Sequence, residues 1–512
     1  MNNSPNIWRG GKTHFVFSLL VATTMVASSL LTGGCGQITI GDESMRSGKS
    51  TSNALPGEGG SASKKKPGVD STEEETPAVA TASSPTPTPT PSPTPTPSSS
   101  SSPSPSPSPS ASPTGSPMPA AYLNIRNLGV KADGSDEQTA IQNAINTAKS
   151  QNLPLYAPAG SYKHSARLIL DSVELFGDGD ATMFIGTVPT EMALHLIGTK
   201  PKLRSVKIMT DYTYDAVNAV LVKGNSTISR VHTPWSAGVW IGWPYDAGMV
   251  QYTNGFVVDN VTVMHAANSG IINLGAKGTA AEYARITNNR VEATLSDAIH
   301  NTHGTQYVLI EGNTTHGNGD DGIAVVSYGS EQLSSDIMIR NNTVGHNYWG
   351  RGITVVGGTR VTIQNNQIAY TEAAGILLYS EVSYHTREVL DVLVKDNTID
   401  HACHCKVSAC ASKNIAIGAC RTGHPAILIG GDQDDGSTIL NPSYLNGSRH
   451  WVKDIDLLSN TISYPSTKAL RINKYSSDVT FDGNTIKSAP ANPIDASSEA
   501  VNIIQSNTVI QN

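Results

Sequence analysis

The chain has 512 residues, a net charge of −7, only 15% Asp, Glu, Lys and Arg, and 46 glycines. It carries no basic patch of the kind a phosphate backbone requires, which argues against nucleic acid as a partner. Few charges and many glycines fit an exported chain rich in turns and uncharged polar side chains.

Arg9 and Lys12 precede an apolar run from Phe15 to Leu31, so residues 1–34 read as an export signal. The run meets Thr32-Gly33-Gly34-Cys35. This resembles the lipobox of bacterial lipoproteins, in which the cysteine becomes the lipidated first residue, although Leu31 lies four residues before Cys35 rather than three. The resemblance implies lipidation at Cys35 and an exported protein held on a bacterial membrane or cell surface. An ordinary cleaved signal or a single membrane anchor is the alternative. Residues 35–119 form a low-complexity linker, and Ser84 to Pro119 is nearly all Ser, Pro and Thr. Such a segment cannot bury a core and stays extended and disordered, as a spacer would.

The predicted folded domain covers residues 120–512. Ser135-Asp136-Glu137 leads into Ala140, Ile141, Ala144, Ile145 and Ala148, whose spacing predicts one amphipathic helix. Leu155-Tyr156-Ala157-Pro158-Ala159-Gly160-Ser161-Tyr162 follows as a strand and turn. This order resembles the N-terminal cap of the pectate-lyase-like β-helix superfamily, in which the helix plugs the open end of the coil.

Beyond the cap, the chain repeats. An asparagine before Thr, Val or a similar residue recurs at 260, 289, 313, 342, 366, 397, 460, 484 and 507, mostly at intervals of 23 to 31 residues. The gap from Asn397 to Asn460 is the size of two or more turns with an insertion. A small residue before aliphatics recurs at Gly238, Gly270, Ala298, Gly322, Gly352, Gly375, Ala426 and Ala469. Stacked coils explain the period, because each coil can bury its aliphatics only against its neighbours. The expected fold is therefore all-β: a right-handed parallel β-helix with a short N-terminal capping helix, its asparagines forming an internal ladder.

Cys403, Cys405, Cys410 and Cys420 cluster in the long gap. In an exported protein, an even cysteine cluster predicts two disulfides. His401, His404 and His424 lie nearby, but the spacing does not match paired Cys-x-x-Cys zinc knuckles.

Immediately before the small residue, successive coils carry Ala237, Ser269, Asp297, Asp321, Arg351 and Ala374, with Asp320 one position further back. Two neighbouring coils thus bring three carboxylates together. Crowded carboxylates raise one another's pKa, and a protonated one beside an ionised one is what acid-assisted glycoside cleavage needs.

Ser296-Asp297-Ala298 followed by Gly319-Asp320-Asp321-Gly322 resembles the motifs of the polygalacturonase family of inverting glycoside hydrolases. The resemblance implies Asp320 as general acid, with Asp297 and Asp321 holding the water. Arg351 stands in the place of the family's histidine, and Leu377-Leu378-Tyr379 in the place of its Arg-Ile-Lys, which sets galacturonan aside as substrate. Arg471-Ile472-Asn473-Lys474 looks similar but is expected several coils away.

His300, His303, His316, Tyr328, Trp349, Arg351 and Tyr379 are the candidate substrate-binding residues, with Trp349 the first choice for stacking on a sugar ring. A histidine, a tyrosine and an arginine also suit a lyase or C5-epimerase of a uronic-acid polymer. A glycan-binding adhesin is the non-catalytic reading. The bland reading of the aspartates is turn chemistry, as in Asp432-Gln433-Asp434-Asp435-Gly436, a turn that also suits calcium. No other cofactor is expected, and the chain is expected to be a monomer with a polysaccharide substrate.

Overall fold

A computed structural model describes residues 118–242, 253–329, 331–404, 418–431 and 451–511. The signal segment, Cys35, most of the linker, Cys405, Cys410 and the Asp432–Gly436 turn lie outside the described residues.

The chain winds into a right-handed parallel β-helix. Strands such as Ile271–Leu274, Ile299–Thr302, Ile323–Val326, Ile353–Val356 and Ile376–Ser380 stack in register into one eleven-stranded sheet. Two further ladders of parallel strands close each coil. The sequences follow from burial. Val452–Leu458 alternates buried and solvent-facing positions, as a half-covered strand does. Ile323–Val326 and Ile353–Val356 are buried on both faces and read as unbroken β-branched and small residues. The small residue before each of these strands is required by space: a Cβ on Gly322 would lie 2.3 Å from Val344 Cγ1.

The helix Gln138–Gln151 buries Ile141, Ala144, Ile145 and Ala148 against the first coil. Gln142 donates to the Ile169 carbonyl (3.1 Å) and accepts its N–H (2.8 Å), so the edge strand Leu168–Asp171 keeps no open template for pairing.

An internal ladder joins Asn289, Asn313, Asn342, Asn366, Asn397, Asn460 and Asn484; each side-chain carbonyl accepts from the preceding asparagine's amide at 2.9–3.0 Å. Asn260 and Asn507 are not in it. They occupy the preceding position, which is left-handed in each coil (φ 54° and 47°), and their amides bond Ser205 and Asp482 instead. A one-residue shift in register produced the misreading, because asparagine suits both positions.

The long gap also needs correction. Asn397 bonds Asn460 directly, and strand Val389–Lys395 pairs with Val452–Leu458, so the gap is a single coil carrying long insertions.

Candidate active site

Asp297, Asp320 and Asp321 meet as the register predicts. One carboxylate oxygen from each lies within 4.8 Å of one from each of the others. They come from the turns before Ile299–Thr302 and Ile323–Val326, which are adjacent rungs of the eleven-stranded sheet. The turns are pinned by their own hydrogen bonds. The Thr294 hydroxyl donates to the Ser296 carbonyl (2.8 Å), and Asn347 Nδ2 donates to the Asp320 carbonyl (2.9 Å). Gly350 makes room beside the acid, since a Cβ there would lie 2.5 Å from Asp320 Oδ1.

The cluster is buried, not spread on an open outer face: Asp297, Asp320 and Asp321 are 6%, 8% and 6% exposed. Burial is tolerable because each carboxylate has donors. Asp297 accepts from His300 Nδ1 (2.6 Å) and the Asp321 backbone N–H (2.9 Å). Asp320 accepts from Arg230 Nη1 (2.7 Å), and Asp321 accepts the Arg351 backbone N–H (2.7 Å).

These surroundings separate the three proton affinities. Burial would raise Asp297, but His300, Arg230 and the Asp321 N–H outweigh it and hold the pKa below its ordinary value. Burial and the charge of Asp297 raise Asp320, against the pull of Arg230 and Arg351. Burial lifts Asp321 to about 8, against the pull of Arg351, with Asp320 and Asp297 adding to the rise. One carboxylate with a depressed pKa therefore stands beside two whose pKa values are raised.

The predicted binding residues divide. His300 is hydrogen-bonded to the cluster. Arg351 lies on the next rung, as expected, but its guanidinium is held by Asp321 (3.5 Å) and Glu381 and does not reach outward alone. Tyr328 packs beside Ala324 and Val326, where burial and the nearby Asp297 raise its pKa. His303 sits one turn away, its Nε2 3.3 Å from Glu331. Trp349 has one face taken by Arg421, whose guanidinium lies 3.8 Å from the ring centre while its Nε donates to buried Glu372 (2.6 Å). Tyr379 accepts from Asn473 Nδ2 (3.3 Å), so the 471–474 segment reaches closer than its distance in sequence implies.

His316 is a correction. It ends strand Thr314–His316 of a different ladder, and its ring packs 4.7 Å from His346 in a column that continues through Tyr370, His401 and Tyr464. The Cys403–Cys420 disulfide is formed and stands directly before Arg421.

Arg230, Glu381 and Tyr384 were missed. Glu381 immediately follows strand Ile376–Ser380, so extending the register past Tyr379 would have found it. Burial and the charges of Glu381 and Asp320 raise the pKa of Tyr384, which places its hydroxyl within the field of the cluster. Arg230 arrives from an insertion ninety residues before Asp320 and has no register signal. With two guanidinium groups among the carboxylates, the cluster is a poor cage for a divalent cation.

A family model described as a right-handed β-helix region matches residues 218–390. No curated protein matches the chain in sequence. Among solved structures, the catalytic unit of the thermostable GH87 α-1,3-glucanase from Streptomyces thermodiastaticus strain HF3-3 matches with a TM-score of 0.51 at 16% identity, over 77% of this chain and 70% of that one. The A-module of the mannuronan C-5 epimerase AlgE6 from Azotobacter vinelandii matches with a TM-score of 0.47 at 20% identity, over 76% of this chain and 99% of that one. The Agl-KA catalytic domain gives 0.48 and 16%, over 78% and 67%. The likeness to the glucanase is one of fold: both are parallel β-helices.

Proposed function

We propose that this chain is an enzyme that hydrolyses a polysaccharide outside the cytoplasm. The observation that carries the reading is the buried group of three aspartates on adjacent coils, one with a depressed pKa and two with raised ones, with one oxygen of each within 4.8 Å of the others. Asp320 is the general acid that protonates the leaving oxygen. Asp297, with its depressed pKa, takes the proton of the attacking water, and Asp321 helps hold that water.

One oxygen of each carboxylate lies within 4.8 Å of the others, a closest approach compatible with the roughly 5–5.5 Å between the carboxyl groups of retaining enzymes. The reading of inversion rests on the three-aspartate resemblance, and the anomer of the first product, followed by NMR, decides it.

A neutral glycan suits the site better than a uronic-acid polymer. Arg230 and Arg351 are already matched to carboxylates, and Asp297, Asp320, Asp321 and Glu381 outnumber them. Elimination or C5 epimerisation needs a cation on the substrate carboxylate, and Arg351 is committed to Asp321 and Glu381. A panel of neutral and acidic polysaccharides tests this: new reducing ends without the ultraviolet absorbance of an unsaturated end are expected. Absorbance would indicate elimination, and binding without product would indicate an adhesin.

The export signal and lipid anchor at Cys35 belong to the same proposal. Cys35→Ser should release the protein from the membrane fraction or block its processing, and unchanged membrane association refutes the anchor.

A further inference from the structure

One wall of the site comes from outside the coil register. Thr213–Asp215, Val220–Lys223 and Ser226–Ile228 form an antiparallel ribbon inserted after strand Lys202–Thr210. Its base is packed onto the turn that carries Asp297: Tyr212, Tyr214, Ile228 and Val231 join Leu221, Ala267 and Leu295 in one apolar cluster. Val231 N–H also donates to the Ala267 carbonyl at 2.7 Å. Leu295 precedes Asp297 by two residues, so the ribbon and the aspartate turn share a support. Between ribbon and cluster stands Arg230, with Nη1 2.7 Å from Asp320 Oδ2. The pair is largely enclosed, with side-chain exposures of 27% and 12%, so solvent screens it less than an open surface pair.

We propose that Arg230 is a positioning residue for the proton donor, and that the inserted ribbon is therefore part of the catalytic apparatus. The inference rests on the hydrolytic reading. In that reaction the Asp320 carboxyl gives its proton to the glycosidic oxygen as the bond to the anomeric carbon breaks. Water forms the new bond to that carbon and gives its proton to Asp297. Asp320 is left as a buried anion.

The groups around it come from five elements. Asp297 lies on the preceding coil, Asp321 on its own, Arg351 on the following coil, Tyr384 on the turn Val382–Tyr384, and Arg230 just after the ribbon. Arg230 and Arg351 bring positive charge to Asp320, and Arg351 is engaged by Asp321 and Glu381. Arg230 is thus the group that neutralises the charge formed when the proton leaves. It also fixes the carboxyl in place through Oδ2.

The test uses the full chain as Arg230→Met and Arg230→Lys, with two readouts. The first is the infrared band of the protonated buried carboxyl followed against pH, assigned to Asp320 by its disappearance in Asp320→Asn. The second is the pH profile of kcat and KM on the glycan that the unmodified enzyme cleaves. In Arg230→Met the carboxyl midpoint and the alkaline limb of kcat should both move up by about one pH unit or more. The value of kcat should fall roughly tenfold or more with KM little changed. Arg230→Lys should recover much of both, which also guards against a folding defect in the methionine variant. An unmoved midpoint overturns the inference, whether KM rises (a substrate-binding arginine) or nothing changes (a passive ion pair). Movement of the midpoint in a protein that cleaves no glycan leaves the charge control of Asp320 standing and removes the hydrolytic reading.

Discussion

Replacing Asn366 by alanine should destabilise the coil far more than replacing Asn260, although the two look alike in sequence. Asn366 donates to the Ile339 carbonyl (3.0 Å) and to Asn397 Oδ1 (2.9 Å), and its own carbonyl accepts both the backbone N–H and the side-chain amide of Asn342. Alanine leaves two Asn342 N–H groups without their partner inside the coil and breaks the bonds to Ile339 and Asn397. An unpaired buried polar group costs roughly 1–3 kcal/mol, so the loss should be about 2–6 kcal/mol. Asn260 gives up one bond, to Ser205 Oγ (3.1 Å), and a left-handed backbone position, together about 1–2 kcal/mol. Denaturant unfolding followed by tryptophan fluorescence measures both. Equal midpoint shifts, or a larger shift for Asn260→Ala, would refute the assignment of the ladder.

Asp321 sets a pH dependence of stability. Its folded pKa of about 8 is above the unfolded value of about 3.9, so the native state holds a proton that the unfolded state loses, and stability contributed there falls as pH rises from about 4 to about 8. Asp321→Asn should remove that fall, so that the variant's melting temperature gains on the parent's across this window; parallel curves would contradict it. Breaking the Cys403–Cys420 bridge, by Cys403→Ser or by reductant, should cost about 3 kcal/mol, the scale for a loop of this length, and free Arg421 from Trp349. Weaker glycan binding by the reduced protein, with a lower denaturation midpoint, checks both parts.

The coil and the aspartates were legible because both obey register. A parallel β-helix repeats its turn positions, so a small residue before each aliphatic run was enough to place Asp297 and Asp321 side by side. Register says nothing about segments that leave the coil. Arg230 comes on an inserted ribbon and Arg421 follows an insertion between Cys403 and Cys420; their contacts with Asp320 and Trp349 depend on how those loops fold back. Arg351 was placed correctly but given an outward role, because Glu381, which holds it, lay two positions beyond the residues aligned. His316 erred for a related reason: a place on the same coil was read as nearness to the site, whereas the chain turns a corner between His316 and Asp320 and leaves the ring in another column.

The most direct measurement is the activity of Asp320→Asn and Asp297→Asn on whichever glycan the unmodified chain cleaves, with folding checked by circular dichroism. Asparagine keeps shape and can still face Arg230, but it cannot give or take the proton. Each variant should fold and lose roughly a hundredfold or more in kcat. Near-full activity in both, with activity lost instead in Arg351→Ala, would contradict hydrolysis by the three aspartates and point to elimination or epimerisation.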